Sequence, residues 1–229
     1  MLKQKHKYII ATIKNWNIRE YHKSKYSHNK NWHLITDPKK LTISYVNSIK
    51  PKFIFFPHWS KKVNTKITNN YECVCFHGTN VPYGRGGSPI QNLILRNYKK
   101  TIISALKMTD KLDAGPIYLK RQLKLNGNAQ QIYERASKKV FKMINIIVNS
   151  KIMPSIQKGK IVKFKRRNFK QSILPKKIKS LRALYNHIRM LDAKTYPPAF
   201  IKYGNLTVEF KKAKILKKYV NASVSLKIK

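Results

Sequence analysis

The residue types best suited to chemistry lie in the stretch Cys75–Gly87, where an apolar run ends at a histidine, His77. Four of the chain's 8 glycines follow it, at positions 78, 84, 86 and 87. Glycine lets main-chain N–H groups come close to a ligand. A neutral histidine at the end of a strand is able to accept a proton near physiological pH. The stretch therefore predicts a ligand-binding loop with a general base at its start.

A second stretch, Lys107–Tyr118, follows the apolar run Ile102–Leu106 and carries two of the chain's 8 acidic residues, Asp110 and Asp113. A carboxylate beside a histidine fixes its tautomer and stabilises the imidazolium, so such a pair works as a base. The alternative for either residue alone is a loop aspartate whose oxygens accept from nearby main-chain N–H groups.

Short apolar runs alternate with amphipathic stretches along the chain. This alternation predicts an α/β fold, with a mostly parallel sheet and helices on both faces. Ligands of such sheets bind beyond the carboxyl ends of the strands, where both stretches above begin. No GxGxxG follows the first run. The predicted strands are Tyr8–Ile13, Trp32–Ile35, Phe53–Phe56, Cys73–His77 and Ile102–Leu106, and the predicted helices are Ile18–Tyr26, Pro38–Ile49, Ala129–Val148 and Leu181–Leu191, with a further helix starting near Ser88 as its N-cap.

The composition changes near Lys158, where lysine runs and a proline interrupt the pattern. We therefore predict a catalytic domain over residues 1–157 and, over residues 158–229, a linker and a small C-terminal α+β subdomain. In that subdomain, two alternating segments, Leu206–Phe210 and Ala213–Leu216, are predicted strands joined by a short basic turn.

A formal net charge of +42 is typical of nucleic-acid binding, but its distribution favours another interpretation. Lysine outnumbers arginine 41 to 9, and the lysines are spread over the whole chain. Specific phosphate and base contacts favour arginine, whose planar fork binds in a bidentate way. We interpret the charge as compositional drift, with non-specific binding of polyanions as a consequence. A non-catalytic, lysine-rich RNA-binding protein on the same fold remains the alternative of another class.

Two further patterns concern location and cross-links. No apolar run is long enough for a transmembrane helix, and the apolar segment near the N-terminus is short for a secretory signal, so we expect a cytoplasmic protein without membrane insertion. The two cysteines, Cys73 and Cys75, lie two positions apart on one predicted strand. We expect no disulfide and no metal site from them.

The chemical stretches together resemble the formyltransferases that use 10-formyltetrahydrofolate, a family with methionyl-tRNA and sugar-nucleotide amine members. That family carries Asn-x-His, then Pro and Arg-Gly, and later Leu-Asp-x-Gly. The resemblance covers most of the chain from Pro51 on, and Ile188–Asp192 and Tyr196–Phe200 resemble the sugar-amine members. The matching residues here are Cys75-Phe76-His77, Pro82, Arg85-Gly86, Pro89-Ile90-Gln91 and Leu112-Asp113-Ala114-Gly115.

The resemblance implies a Rossmann-like formyltransferase fold and roles at the reaction centre. His77 would accept a proton from the attacking amine, and Asp113 would orient it. The family's asparagine would stabilise the oxyanion, and Cys75 stands in its place. A thiol donates hydrogen bonds poorly, so Asn80 or a loop N–H is the expected substitute.

The resemblance also implies binding residues, 10-formyltetrahydrofolate as co-substrate, and no metal. His58 and Trp59 have the alternative of being ordinary loop residues, and Arg85 that of binding its own loop's carbonyls. The expected folate contacts are His58, Trp59, Ser60, Met108, Asp110 and Leu112, and the expected contacts to the amine substrate are Gly78, Thr79, Asn80, Pro82, Arg85 and Gly86.

Two acceptor amines fit the resemblance. Methionyl-tRNA formyltransferases carry a full β-barrel after the catalytic domain, and the residues after Lys158 are few for a five-stranded barrel. On this length and on Tyr196–Phe200 we favour an amino-deoxysugar nucleotide, with methionyl-tRNA as the alternative. The expected partners are the folate and a nucleotide sugar, or tRNA, and the resemblance leaves room for a homodimer.

Overall fold

The computed structural model describes residues 6–228, which form two compact units. The first unit takes the chain up to Arg85 and the segments Ile102–Leu123 and Glu134–Lys163. The second takes Gly86–Thr101, Lys124–Tyr133 and the chain from Phe164 on. Each unit is therefore assembled from separate stretches of sequence. The division into domains at residue 157 stays a prediction, as do the cytoplasmic location and the homodimer.

The main sheet has six strands in the order β2-β1-β3-β4-β6-β7. β1 pairs in parallel with β2 and with β3, and β3 with β4, whereas β4 pairs antiparallel with β6. The mostly parallel sheet of the α/β class is confirmed, with helices around it. Its strands are β1 (Tyr8–Ala11), β2 (Trp32–Ile35), β3 (Phe53–Phe56), β4 (Cys73–His77), β6 (Lys100–Lys107) and β7 (Ile117–Lys124); β5 (Tyr83–Gly86) pairs instead with β8 (Val162–Phe164).

A buried apolar cluster on the first unit's sheet explains why these runs become strands. Ile9 and Ile54 are fully buried at neighbouring positions of β1 and β3, and Val46 and Ile67 cover them from two helices. Burying one such side chain stabilises the fold by about 1.5–3 kcal/mol. The helices of this unit are α1 (Asn15–Lys23), α2 (Ile43–Ile49), α3 (Thr65–Asn70) and most of α5 (Ala129–Asn149).

The helix predicted over Pro38–Ile49 is wrong in its first half. Pro38–Lys40 is a short 3-10 turn, because the Asp37 side chain accepts from the Lys39 N–H at 2.9 Å and closes that turn early. The α-helix starts afresh at Ile43, where Thr42 accepts from the Tyr45 N–H at 3.1 Å. Two capping residues in succession therefore divide one apolar pattern.

The second unit holds α4 (Pro89–Leu95), α6 (Leu181–Arg189) and a three-stranded antiparallel sheet of β9 (Ala199–Tyr203), β10 (Leu206–Ile215) and β11 (Val220–Ile228). The expected turn between Phe210 and Ala213 is wrong, since β10 runs through it. A bulge between Lys211 and Lys214 absorbs the break in alternation, with Lys212 at φ 52°. The Lys212 N–H donates to the Asp192 carboxylate at 2.9 Å, which supports the bulge.

Within residues 6–228, no helix is long and apolar enough to cross a bilayer. In the same described range, no group of three or more His, Cys, Asp or Glu side chains is placed to hold a metal ion.

Candidate active site

β4 delivers His77 at its carboxyl end, where the side chain is almost wholly buried. Its Nδ1 lies 3.4 Å from Asp113 Oδ2, and its Nε2 lies 2.7 Å from the Gly84 carbonyl oxygen. The pair expected from the sequence is therefore in contact. Because a carbonyl oxygen only accepts, Nε2 carries a proton in this arrangement. Nδ1 is the ring nitrogen that faces the carboxylate.

Asp113 reaches His77 from an unusual turn after β6. The expectation that both stretches begin at the same edge of the sheet is wrong, because β6 runs antiparallel to β4 and its carboxyl end lies beside Val74. The φ of Asp113 is 53°, in the left-handed region that aspartate and asparagine tolerate better than most residues. Two residues later, Gly115 lies so close to β6 that an added Cβ would meet the Lys107 carbonyl oxygen at 1.8 Å. Only glycine fits there, and this close approach fixes the path of the Asp113 turn.

Gln157 holds this turn from outside and was missed by the sequence analysis. Its Nε2 donates to the carbonyl oxygens of Asp113 and Gly115, at 2.9 and 2.8 Å. Its Oε1 accepts from Arg85 Nε and Nη2, at 3.0 and 2.8 Å. Gln157 thus joins the glycine loop to the acidic turn. No sequence pattern marked it, since it stands in a loop that carries no recognisable motif.

The glycine loop folds back so that the Gly84 carbonyl reaches His77. Gly84 has a φ of 76°, and the Val81–Pro82 peptide is cis. The Thr79 hydroxyl donates to the same carbonyl at 3.3 Å, while Ser104 on β6 donates to the Thr79 carbonyl at 2.8 Å. The loop is therefore tied to the sheet through buried hydrogen bonds.

The other expected amine-binding residues of this loop differ in exposure and in their hydrogen-bond partners. Asn80 is exposed, and its Oδ1 accepts from Lys120 Nζ at 2.6 Å. Gly78 is half-buried, and Pro82 is buried with its carbonyl oxygen accepting from the Val162 N–H at 3.2 Å. Arg85 uses its guanidinium on Gln157 rather than on its own loop's carbonyls. Whether these residues contact an amine stays a prediction.

Gly86, Gly87 and Ser88 belong to the second unit. Gly86 has a φ of 99°, and an added Cβ would lie 2.6 Å from the Phe164 carbonyl oxygen. Ser88 precedes α4, but its side chain does not cap that helix. Its φ of 52° departs from the extended conformation of an N-cap, and its Oγ instead accepts from the Arg167 N–H at 3.1 Å. The capping role predicted for Ser88 is wrong.

Cys75 lies two residues before His77 on β4, so both side chains are on the same side of the strand. It is half-buried and packs against the apolar cluster of the sheet. Burial raises the pKa of the Cys75 thiol, and the negative charge of Asp113 raises it further. The thiol is therefore protonated at neutral pH.

The loop after β3 holds His58, Trp59 and Ser60. His58 has a φ of 51° and its ring lies 5.2 Å from that of Trp16. Burial lowers its pKa to about 3, with a smaller contribution from the charge of Lys14, so the ring is neutral. Trp59 packs on Phe56 at 5.9 Å, while Ser60 is exposed. The folate contacts expected here stay predictions.

The remaining expected folate contacts follow β6. The Met108 N–H donates to the Cys73 carbonyl at 2.8 Å, and its side chain packs on the same apolar cluster as Cys75 and Trp59. Asp110 is exposed, and Leu112 is 74% exposed. The structure therefore gathers Cys75, Trp59 and Met108 around one cluster and leaves Asp110 and Leu112 at the surface.

The chain is similar in sequence and fold to proteins named as formyltransferases. A family model described as the C-terminal domain of methionyl-tRNA formyltransferase matches residues 169–227. A methionyl-tRNA formyltransferase structure from Clostridium thermocellum is 42% identical, with a TM-score of 0.94, and the match covers 98% of this chain and 100% of that one. The methionyl-tRNA formyltransferase of Mesoplasma florum is 29% identical over 199 residues, which are 82% of this chain and 63% of that protein. This chain thus spans less than two thirds of that curated relative.

More distant structures share the fold alone. HypX from Aquifex aeolicus in complex with tetrahydrofolic acid is 14% identical, with a TM-score of 0.72 over 90% of this chain and 37% of that one. A 4-N formyltransferase from Francisella tularensis is 17% identical, with a TM-score of 0.64 over 87% of this chain and 93% of that one.

Fold and site together define a protein of the formyltransferase class. This chain belongs to the formyltransferase family that includes the methionyl-tRNA formyltransferases.

Proposed function

We propose that this chain transfers a formyl group from 10-formyltetrahydrofolate to the amine of methionyl-tRNA. The observation that carries the proposal is the contact of His77 Nδ1 with Asp113 Oδ2 at 3.4 Å, at the carboxyl end of a central strand. That edge of an open α/β sheet is where ligands bind. The likeness of 98% of this chain to a methionyl-tRNA formyltransferase structure supports the same activity.

In the proposed reaction, the amine nitrogen attacks the formyl carbon and a tetrahedral intermediate forms. The bond from that carbon to the folate nitrogen then breaks. The amine loses a proton, which the His77–Asp113 pair takes up, and the folate nitrogen gains one as it leaves. Before substrate binds, His77 Nε2 is hydrogen-bonded to the Gly84 carbonyl oxygen and Nδ1 lies 3.4 Å from Asp113 Oδ2, so these contacts must rearrange when the amine approaches. Such tightening and rearrangement on substrate binding is common in active sites.

The developing oxyanion needs a hydrogen-bond donor, and the half-buried Cys75 thiol is a poor one. Asn80, the expected side-chain substitute, is exposed, and its Oδ1 accepts from Lys120 Nζ, which ties the side chain to the surface. We therefore assign the oxyanion contact to a main-chain N–H of the glycine loop. Main-chain donors of this kind need no side-chain rearrangement during the reaction.

Methionyl-tRNA replaces the nucleotide sugar as the acceptor that we favour. The 42%-identical structure bears the name methionyl-tRNA formyltransferase, and residues 169–227 match the C-terminal domain of that family. Likeness to the 4-N formyltransferase rests on 17% identity and supports the fold without indicating an acceptor. The small C-terminal sheet, short as it is, is therefore the part we assign to tRNA.

The test offers 10-formyltetrahydrofolate together with either methionyl-tRNA or a panel of amino-sugar nucleotides. We expect a mass gain of one formyl group on the methionyl-tRNA and none on the sugars. Asp113→Asn serves as the matched control, because it removes one charge and keeps the side-chain shape. Formylation of a sugar alone would restore the other acceptor. Binding of tRNA without formylation of any amine would favour the non-catalytic RNA-binding alternative.

A further inference from the structure

A pocket of about 400 Å³ lies in the second unit, and its lining includes none of the residues of the candidate active site. Its walls come from α6, from residues 97–99 just before β6, and from residues 125–127 just after β7. Three cationic side chains line it: Lys99, Arg182 and Arg189. None of its lining residues, all of which the structure describes, is acidic. The pocket is therefore strongly positive and has no internal counter-ion.

The sign of the charge alone means little in a chain of net charge +42. What distinguishes this pocket is the use of arginine, of which the chain has 9 against 41 lysines. Two of those arginines, Arg182 and Arg189, line it. Arginine presents a planar fork of N–H donors that matches a phosphate, whereas lysine presents a point charge. Compositional drift toward lysine does not account for two arginines here.

Arg189 is only 7% exposed, although it carries a charge. All the partners of its guanidinium are neutral: Nε donates to Asn186 Oδ1 at 2.8 Å, and Nη1 to the carbonyl oxygens of Leu125 and Gly127 at 2.6 and 2.8 Å. In the described part of the chain, Nη2 has no hydrogen-bond partner. A buried charge is costly unless an opposite charge compensates it. Arg189 thus offers donors at the pocket wall and lacks the anion that would pair with them.

Two tyrosines add a second kind of surface. The guanidinium groups of Arg182 and Arg189 lie 5.7 and 5.2 Å from the centre of the Tyr185 ring. Tyr98, another lining residue, is 43% exposed. Aromatic rings beside arginines, with the amides of Asn97 and Asn126 nearby, suit a base and sugar attached to a phosphate. A volume of about 400 Å³ is within the range of small-molecule sites.

We propose that this pocket binds a nucleotide through its phosphate, which Arg189, Arg182 and Lys99 hold. The phosphate belongs either to a free nucleotide or to an exposed nucleotide of a single-stranded RNA segment. The site does not depend on formyl transfer, and its test needs no measurement of activity.

The test is calorimetric titration of the full chain with adenosine monophosphate and with uncharged adenosine, at physiological ionic strength. We expect saturable binding of the monophosphate at one site and no measurable binding of adenosine. The double variant Arg182→Gln, Lys99→Gln removes two exposed cations of the pocket, and we expect it to weaken binding by about tenfold or more. Arg189→Lys, checked for folding by thermal unfolding, should weaken it as well because the fork is lost.

The matched control is Lys25→Gln, Lys142→Gln, which removes two exposed cations from an open recess of the first unit. It should bind the monophosphate as the wild type does. An equal loss in this control, an unchanged affinity in the pocket variant, or tight binding of adenosine would each overturn the proposal. Competition with a short single-stranded RNA then separates the sources: displacement of the monophosphate points to an RNA strand, and its absence to a free nucleotide.

Discussion

Gln157 Nε2 donates a 2.9 Å hydrogen bond to the main-chain oxygen of Asp113, the residue whose carboxylate faces His77. The same amide accepts from Arg85 on its other side. Gln157 touches neither ring nor carboxylate of the catalytic pair, so we regard it as a positioning residue for Asp113.

Replacing Gln157 by methionine should therefore lower kcat by about 10- to 100-fold and leave the KM for folate nearly unchanged, since small misplacements at a reaction centre have effects of this order. Gln157→Glu separates the two contacts. It keeps an acceptor for Arg85 but turns an oxygen toward the carbonyls of Asp113 and Gly115. Steady-state kinetics of both variants decide the point: a fully active Gln157→Glu would show that the contact with Asp113 has no role.

Asp113→Asn should fold normally, because asparagine tolerates the positive φ of 53° at this position. The neutral amide no longer stabilises a protonated His77, so we expect kcat to fall by about 10²–10⁴-fold. Single-turnover formyl transfer and a thermal unfolding curve measure the two properties separately. Near-normal turnover by a folded Asp113→Asn would remove Asp113 from the mechanism.

Cys75→Asn should place an amide donor beside His77 and raise turnover, by up to the about 10²–10³-fold associated with one oxyanion donor. Cys75→Ala should change turnover little, since the thiol is a poor donor. Single-turnover rates of the three proteins provide the comparison. If Cys75→Ala abolishes activity and Cys75→Asn does not exceed the wild type, the thiol has a role of its own.

Neither cysteine should react with iodoacetamide in the folded protein at mildly alkaline pH. Burial raises the pKa of Cys73 to about 12, and burial and the charge of Asp113 raise that of Cys75, so the reactive thiolate is scarce. Intact mass after timed alkylation measures this, and urea-unfolded protein should take up two labels as the control. Rapid labelling of the native chain would show that the thiols are accessible and ionised.

His58 should make stability depend on pH. Burial lowers its pKa from 6.5 to about 3, so between these values the unfolded chain binds a proton that the folded chain does not. The free energy of unfolding should be at its full value above pH 6.5 and fall as the pH drops toward 3, by at most about 1.4 kcal/mol per pH unit.

His58→Asn, which tolerates the φ of 51°, should flatten that dependence. Urea unfolding of wild type and variant at several pH values within the window compares the slopes. Parallel curves for the two proteins would contradict the assignment to His58. His22, which is exposed, supplies the control His22→Asn, and its slope should match that of the wild type.

The local sequence pattern determined the positions of most strands. The predicted bounds of β2, β3 and β4 are those observed, because each is a short run of apolar residues that gains more from burial than from any alternative conformation. It also placed His77 and the Asp113 turn at strand ends. The contact between them did not follow from that placement. Because β6 runs antiparallel to β4, Lys107 at its carboxyl end pairs with Val74 and not with His77. The 3.4 Å contact therefore depends on the path of the turn that brings Asp113 back to the histidine.

The remaining contacts of the site depend on the paths of the folded loops, and no local sequence pattern predicts them. The Gly84 carbonyl on His77, the Lys120 bond to Asn80 and the Gln157 clamp on Asp113 each join segments that approach only after the loops have adopted their backbone path. A glutamine has the same hydrogen-bonding groups and the same secondary-structure propensity at every position in a sequence. Its partners depend on which carbonyls the folded chain leaves within about 3 Å of it, and that is a property of the tertiary structure alone.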